Sequence, residues 1–306
     1  MIIDTHSHMY GKGVPETHDR YVSRLPQLGI DIEHEVEFYI KLMNRTGVDK
    51  TLIYCNPNES VAEMIKGNRD RFVPFATINL GDGKAAAEQL ERAVASLGYR
   101  GIAEQSPASN DYYIDDFDLL DPIYRKASDL GVPVSWHLQN SWLTGSSRIK
   151  FSGIERVQEV CVRYPDLKIL LCHMGGEYQK TMSACSGYKN VYMDLSGITG
   201  GQIRKNMAPV WGKTAMGRSF SYIHPEFAKE GKPKDYGQVM TKSKNESAEI
   251  IREIASVLPD RIMMGTDGLF ASTPDIEIDV CKTALGHDKE LLAHVLGDNA
   301  RKFLNV

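Results

Sequence analysis

The sequence predicts a (β/α)8 TIM barrel, and three observations carry that prediction. Eight short apolar runs rich in β-branched residues alternate along the 306 residues with segments of helical periodicity. Repeated strand–helix alternation of this kind builds a closed parallel barrel. Ionisable residues fall at the C-terminal ends of those runs, where barrel enzymes place their chemistry. No glycine-rich phosphate turn follows the first strand, which sets the doubly wound open sheet behind the barrel.

The strands are expected near Ile2–Asp4, Lys50–Tyr54, Phe72–Ala76, Tyr99–Ala103, Val132–Trp136, Leu167–Cys172, Val191–Asp194 and Arg261–Gly265. Ala85–Leu97, Leu119–Leu130, Gly153–Tyr164 and Ser247–Val257 show helical periodicity between them. Two stretches break the rhythm. Gly11–Phe38, after the first strand, and Gly197–Asn245, after the seventh, read as long polar loops. In a barrel both would lie on the C-terminal face, and long loops in a compact domain commonly cover active sites. No internal repeat, low-complexity tract or second-domain boundary interrupts residues 1–306, so one barrel domain is expected.

Composition narrows the function classes. Hydrophobic residues make up 42% of the chain, enough for a large core. A net charge of -4 gives no basic footprint for nucleic acid. No apolar stretch reaches bilayer length, and the N-terminus enters Ile2-Ile3-Asp4 without signal-peptide character. Five cysteines are scattered without a pattern and several sit in apolar runs, which points to reduced thiols in a cytoplasmic protein.

His6 and His8 follow the first strand, and residues two apart on an extended segment face the same side. Two imidazoles so placed can grip one metal ion. The other strand ends supply Glu104, His137, His173 and Asp267. Taken singly, each has a plain structural reading: His137 and His173 as core histidines bonded to carbonyls, Asp267 as a helix cap, Glu104 as a barrel-wall carboxylate. Together those readings weaken, because ionisable groups are rare at buried strand ends.

The set Asp4-Thr5-His6-Ser7-His8, His137, His173 and Asp267 resembles the amidohydrolase superfamily. The closer resemblance is to its amidohydrolase-2 branch, which includes the aminocarboxymuconate semialdehyde decarboxylase type. Supporting stretches are Asp115–Tyr124 leading to Gly131–Val134, Tyr164–Lys168 leading to His173–Gly176, and Leu296–Leu304. The likeness spans almost the whole chain and is weakest over the two long connections. Gly268-Leu269-Phe270 replaces the aromatic residue and proline that often follow the last aspartate. Strand four lacks the lysine that binuclear members carboxylate, so the resemblance implies one metal.

That resemblance implies His6, His8, His137 and Asp267 as ligands of one divalent ion, Zn²⁺ first and Mn²⁺ second. Glu104 would be an additional ligand. Asp267 would also take the proton of a metal-bound water, and His173 would polarise the substrate. Asp4 is expected either to brace an imidazole N–H or to shape a turn. A carboxylated substrate needs a cation, for which Arg20, Arg24, Arg204, Lys205 and Arg218 are candidates; Trp136, Trp142 and Phe270 are candidates for an apolar pocket wall. The first functional reading is a metal-dependent hydrolase of a small carboxylated or cyclic substrate. The alternative is a nonoxidative carboxy-lyase acting on an aromatic or unsaturated acid. A structural metal protein would need a closed coordination sphere and would leave His173 without a role. Members of this branch often form dimers, so a homodimer is implied.

Overall fold

A computed structural model describes residues 1–12, 34–138, 151, 153–211 and 235–306. Its eight strands form one sheet in sequence order: β1 (Ile3–Tyr10), β2 (Lys50–Asn56), β3 (Phe72–Ala76), β4 (Ile102–Gln105), β5 (Val134–Trp136), β6 (Ile169–Leu171), β7 (Val191–Asp194) and β8 (Ile262–Met263). Neighbours pair in parallel throughout. Across the seam between first and last strands, Thr5 N–H donates to the Met264 carbonyl at 3.0 Å, and the Thr5 hydroxyl donates to the same oxygen at 2.9 Å. The expected (β/α)8 barrel is the fold.

Helices alternate with these strands: α1 (Glu35–Thr46), α2 (Asn58–Met64), α3 (Lys84–Leu97), α4 (Phe117–Leu130), α5 (Glu155–Arg163), α6 (Tyr178–Cys185), α7 (Ile198–Trp211), α8 (Tyr236–Val257), α9 (Gly268–Ala271), α10 (Pro274–Leu285) and α11 (Asn299–Leu304). Helix α4 shows how local sequence sets them. Asp116 accepts from the Leu119 N–H as N-cap, and Leu120, Ile123, Tyr124 and Ala127 form the buried stripe. Gly131 ends the helix in the left-handed region at φ 65°.

The core has two shells. The outer one lies between strands and helices and includes Ile53, Phe72, Trp136 and Leu171. The inner one fills the barrel with Ile3, Leu52, Tyr54, Phe75, Leu170 and Met263. Ala300, Phe303 and Leu304 of α11 belong to that inner cluster, so the C-terminal helix stoppers the end of the barrel away from the site. Tyr192 and Phe303 meet there with ring centroids 4.9 Å apart.

Three expectations change. The first strand does not stop at Asp4; it runs through both histidines to Tyr10. The expected loop Gly197–Asn245 contains helix at both ends, α7 beginning at Ile198 and α8 beginning at Tyr236, with 212–234 outside the described residues. Gly200-Gly201 reads as loop in sequence, yet a Cβ on Gly200 would sit 2.3 Å from the Ala271 carbonyl oxygen, so the glycine marks a close helix approach. Trp136, expected to line the pocket, is fully buried in the outer shell against Tyr112 and Tyr124. Strand alternation sends Val134 and Trp136 outward and leaves Ser135 to the other face.

No described helix is long and apolar enough to cross a membrane. All five cysteines are free and buried.

Candidate metal centre

Two β-bulges aim the site. Along β1 the pairing steps from Asp4↔Thr51 to Ser7↔Ile53, three residues against two. Along β4 it steps from Ile102↔Val134 to Gln105↔Trp136, again three against two. An extra residue in a strand reverses its in–out parity. Ile3 packs in the barrel interior, and beyond the bulge His6 and His8 share that side, their rings 4.8 and 5.5 Å from the Tyr54 ring. Ala103 packs inside, and its neighbour Glu104 reaches the same central space.

The interior-facing groups converge. Asp267 Oδ1 lies 3.6 Å from His6 Nε2 and 3.3 Å from His8 Nε2. Glu104 Oε2 lies 3.8 Å from each of the same two nitrogens. Glu104 Oε1 contacts His137 Nδ1 and lies 3.2 Å from His173 Nε2. His6, His8 and Asp267 offer donor atoms within 4.8 Å of one another, and so do His6, Glu104 and His173. Imidazole nitrogens mixed with carboxylate oxygens at this spacing can hold a divalent ion. His6, His8, Glu104, His137, His173 and Asp267, named from sequence, therefore meet in one place. His137 joins the group through Glu104 and through His173, whose ring centroid is 4.7 Å from its own.

Backbone conformation contributes to this convergence. His173 and Met174 lie in the left-handed region at φ 52° and 59°, and Asp267 does so at φ 59°. Such non-glycine conformations cost of order 1 kcal/mol each and persist where surroundings enforce them. At His173 the enforcing contact is its N–H donated to Asp194 Oδ1 at 3.0 Å.

Burial pushes the Asp267 carboxyl up, but the His8 hydrogen bond and the charges of His173 and His6 hold it below the usual range. Burial likewise opposes ionisation of Glu104, and His137 outweighs it, keeping that carboxyl well below its ordinary value. In His6 burial disfavours the charged ring while Asp194 draws it well above the ordinary imidazole value. For His173 burial again opposes charge, and the hydrogen bond to Glu104 raises the ring.

Asp194 is the residue that sequence reading missed. It ends β7, is fully buried, and its Oδ2 lies 2.9 Å from His6 Nδ1. The signal was present, since an aspartate closes a buried apolar strand as the other site residues do. Asp4 does not brace an imidazole. Its Oδ1 accepts from the backbone N–H of His6 at 3.2 Å and of Thr266 at 3.0 Å, and its Oδ2 from the Thr266 hydroxyl at 2.7 Å. Asp4 thus ties β1 to the segment leading into Asp267.

Among the cation candidates, Arg204 lies on α7, and Lys205 pairs on the surface with Glu246 of α8 at 3.5 Å. Arg20, Arg24, Arg218 and Trp142 fall outside the described residues, and Phe270 is placed only as backbone in α9.

The family model described as amidohydrolase matches residues 3–306. The chain belongs to the amidohydrolase family, in its amidohydrolase-2 branch. Among curated proteins, this amidohydrolase is 26% identical over 179 residues to a gamma-resorcylate decarboxylase of Polaromonas sp. JS666, covering 47% of this chain and 53% of that protein. The chain thus matches about half the length of that relative. Solved structures share the fold. A 5-carboxyvanillate decarboxylase from Sphingomonas paucimobilis has a TM-score of 0.67 at 17% identity, covering 100% of this chain and 99% of the other. A dihydroxybenzoic acid decarboxylase from Polaromonas sp. JS666, with bound manganese and 2-nitroresorcinol, has a TM-score of 0.63 at 18% identity, covering 99% and 96%. A probable 2-pyrone-4,6-dicarboxylic acid hydrolase from Acinetobacter baumannii has a TM-score of 0.62 at 15% identity, covering 100% and 99%.

Proposed function

We propose that this amidohydrolase is a metal-dependent, nonoxidative decarboxylase of a hydroxylated aromatic acid. The observation that carries the reading is His173 Nε2, which shares one donor group with His6 and Glu104 and so sets a proton-bearing imidazole beside the metal-ligating atoms. Decarboxylase relatives support this order over the hydrolase reading that the sequence placed first.

The residues fit a divalent ion on a structural ground. His6 Nε2 is fully buried and has no hydrogen-bond partner among the described residues, although a buried imidazole nitrogen ordinarily finds one. With Nδ1 directed at Asp194, an acceptor-only carboxylate, Nε2 is the nitrogen left to face the cluster, where an ion would take the place of its proton. His6, His8, His137 and Asp267 would hold the ion, with Glu104 as an added ligand. When bound, the ion would supply positive charge that fixes the acid's carboxylate and a neighbouring oxygen. Mn²⁺, present in two structural relatives, ranks beside Zn²⁺.

In our reading, cleavage of the ring–carboxylate bond leaves the electron pair on the ring carbon and releases CO₂. His173 delivers the proton that this carbon requires, from an imidazole whose charged form the Glu104 hydrogen bond favours against burial. Tyr54 and Tyr10 bound the cluster, the first edge-on to His6 at 4.8 Å and the second parallel to His8 at 6.2 Å. The substrate's cation anchor is sought among Arg20, Arg24, Arg204 and Arg218. Five buried free thiols suit the cytoplasm, and a homodimer is the proposed assembly.

The test is CO₂ release by Mn²⁺- or Zn²⁺-loaded protein from 2,6-dihydroxybenzoate, 5-carboxyvanillate and related hydroxybenzoates. Turnover should vanish with a chelator and return with metal, and His173→Asn should lower kcat by about 100-fold or more. Absence of CO₂ together with metal-dependent turnover of lactones would replace this reading with the hydrolase.

A further inference from the structure

We propose that Asp194 and Ser196, at the end of β7, act as one positioning unit that sets the tautomers of both His6 and His173. The proposal deepens the metal-centre reading and rests on it for the roles of the two rings. Both residues contact the imidazoles directly and would act through them.

The argument is a proton count. Asp194 Oδ2 lies 2.9 Å from His6 Nδ1, and Asp194 Oδ1 accepts the Ser196 N–H at 3.0 Å, the His173 N–H at 3.0 Å and the Ser196 hydroxyl. An ionised carboxylate only accepts, so the one hydroxyl proton of Ser196 is committed to Asp194. Ser196 Oγ also lies 3.0 Å from His6 Nδ1 and 2.9 Å from His173 Nδ1. With its proton committed, that oxygen can only accept from these nitrogens. Both rings must therefore carry hydrogen on Nδ1 and turn Nε2 toward the centre. All four residues are buried, with Asp194, Ser196 and His6 fully inaccessible and His173 7% exposed, so water does not offer the rings another partner.

The two rings depend on the unit unequally. His6 keeps Asp194 even without the Ser196 hydroxyl. Nδ1 of His173 would retain, among the described residues, only the Ser196 carbonyl at 3.3 Å. Gly197 holds this geometry from above: at φ 76°, a Cβ there would come within 3.2 Å of His173 Nδ1. The adjacent backbone can close over the ring only because position 197 is glycine.

The experiment combines ring spectroscopy with metal affinity and kinetics. In metal-free wild-type protein, taken to a pH at which both rings are neutral, long-range ¹H–¹⁵N spectra should show Nδ1–H for His6 and His173. An Nε2–H tautomer in either ring overturns the proposal without reference to any variant or to turnover. Ser196→Ala should leave Mn²⁺ affinity, measured by chelator competition, within about threefold of wild type. The same variant should lower kcat about tenfold or more, with Ser196→Thr restoring most of it. Asp194→Asn should weaken Mn²⁺ binding by about 10–100-fold, because the amide N–H₂ would donate to Nδ1 and leave the proton on Nε2. Equal losses of affinity in Ser196→Ala and Asp194→Asn would also overturn the unequal division of labour. CO₂ release is scored separately, so correct tautomers in a protein inactive on aromatic acids would count against the decarboxylase reading alone.

Discussion

At the scale of single residues, burial decides which groups are free to act. His6 Nε2 has no hydrogen-bond partner among the described residues, while Nδ1 of the same ring is held by Asp194. Glu277 on α10 shows the opposite outcome. It is 1% exposed, accepts from the Thr199 hydroxyl at 3.0 Å, and has no cation in contact among the described residues, so burial pushes its carboxyl from 4.5 to about 7. Because the folded protein holds this proton more tightly than the unfolded chain, stability is present below pH 4.5 and is lost as pH rises through about 7. Glu277→Gln removes that titration. Urea unfolding of both proteins across this range should show wild type losing up to about 3 kcal/mol relative to the variant, with no further divergence at higher pH. Parallel stability profiles would contradict the assignment.

At the scale of elements, the site depends on places where regular structure is interrupted. The bulge in β1 brings His6 and His8 onto the side that Ile3 occupies, and the bulge in β4 does the same for Glu104 after Ala103. Each adds one residue to its strand, which is why the ligating groups of two strands meet at one depth. Helix α7 contributes through proximity: Gly200 approaches the Ala271 carbonyl at the end of α9, the helix that Asp267 begins. Alanine in a helix interior is ordinarily favoured over glycine by about 1 kcal/mol. Here the obstacle is backbone, which cannot swing aside. Gly200→Ala is expected to destabilise by about 1–3 kcal/mol, read from the urea midpoint, and to weaken metal binding by displacing α9. A more stable variant would show that the contact has slack.

At the scale of the whole molecule, the barrel is stoppered at one end by α11 and carries its charged groups at the other. Lys168 anchors that stopper by donating from Nζ to the Lys302 and Phe303 carbonyls at 3.1 and 2.7 Å. Since the proposed ligands come from strands around the barrel, an ion bound among them would tie the fold together. Binding to the native state alone stabilises by about 2.7 kcal/mol at a hundredfold excess over Kd. Mn²⁺ or Zn²⁺ should therefore raise the unfolding temperature, and His6→Ala should abolish the rise. An equal rise in that variant would place the ion elsewhere.

Much of this was legible in the sequence because alternation and strand-end chemistry are local. Short β-branched apolar runs, helical stripes and the recurrence of His6, His8, Glu104, His137, His173 and Asp267 after apolar runs need no knowledge of contacts, and they yielded the barrel and its ionisable centre. Other features were not local. The reach of β1 to Tyr10 depends on its pairing with β2, the helix at Gly200 on what it packs against, and the burial of Trp136 on strand parity. The partnership of Asp194 and Ser196 with His6 spans 188 and 190 residues. Side-chain types alone determined that this chain could assemble a metal-binding barrel. Only the tertiary structure decided which nitrogen of each histidine faces its centre, because a tautomer is set by the partner on the far side of the ring.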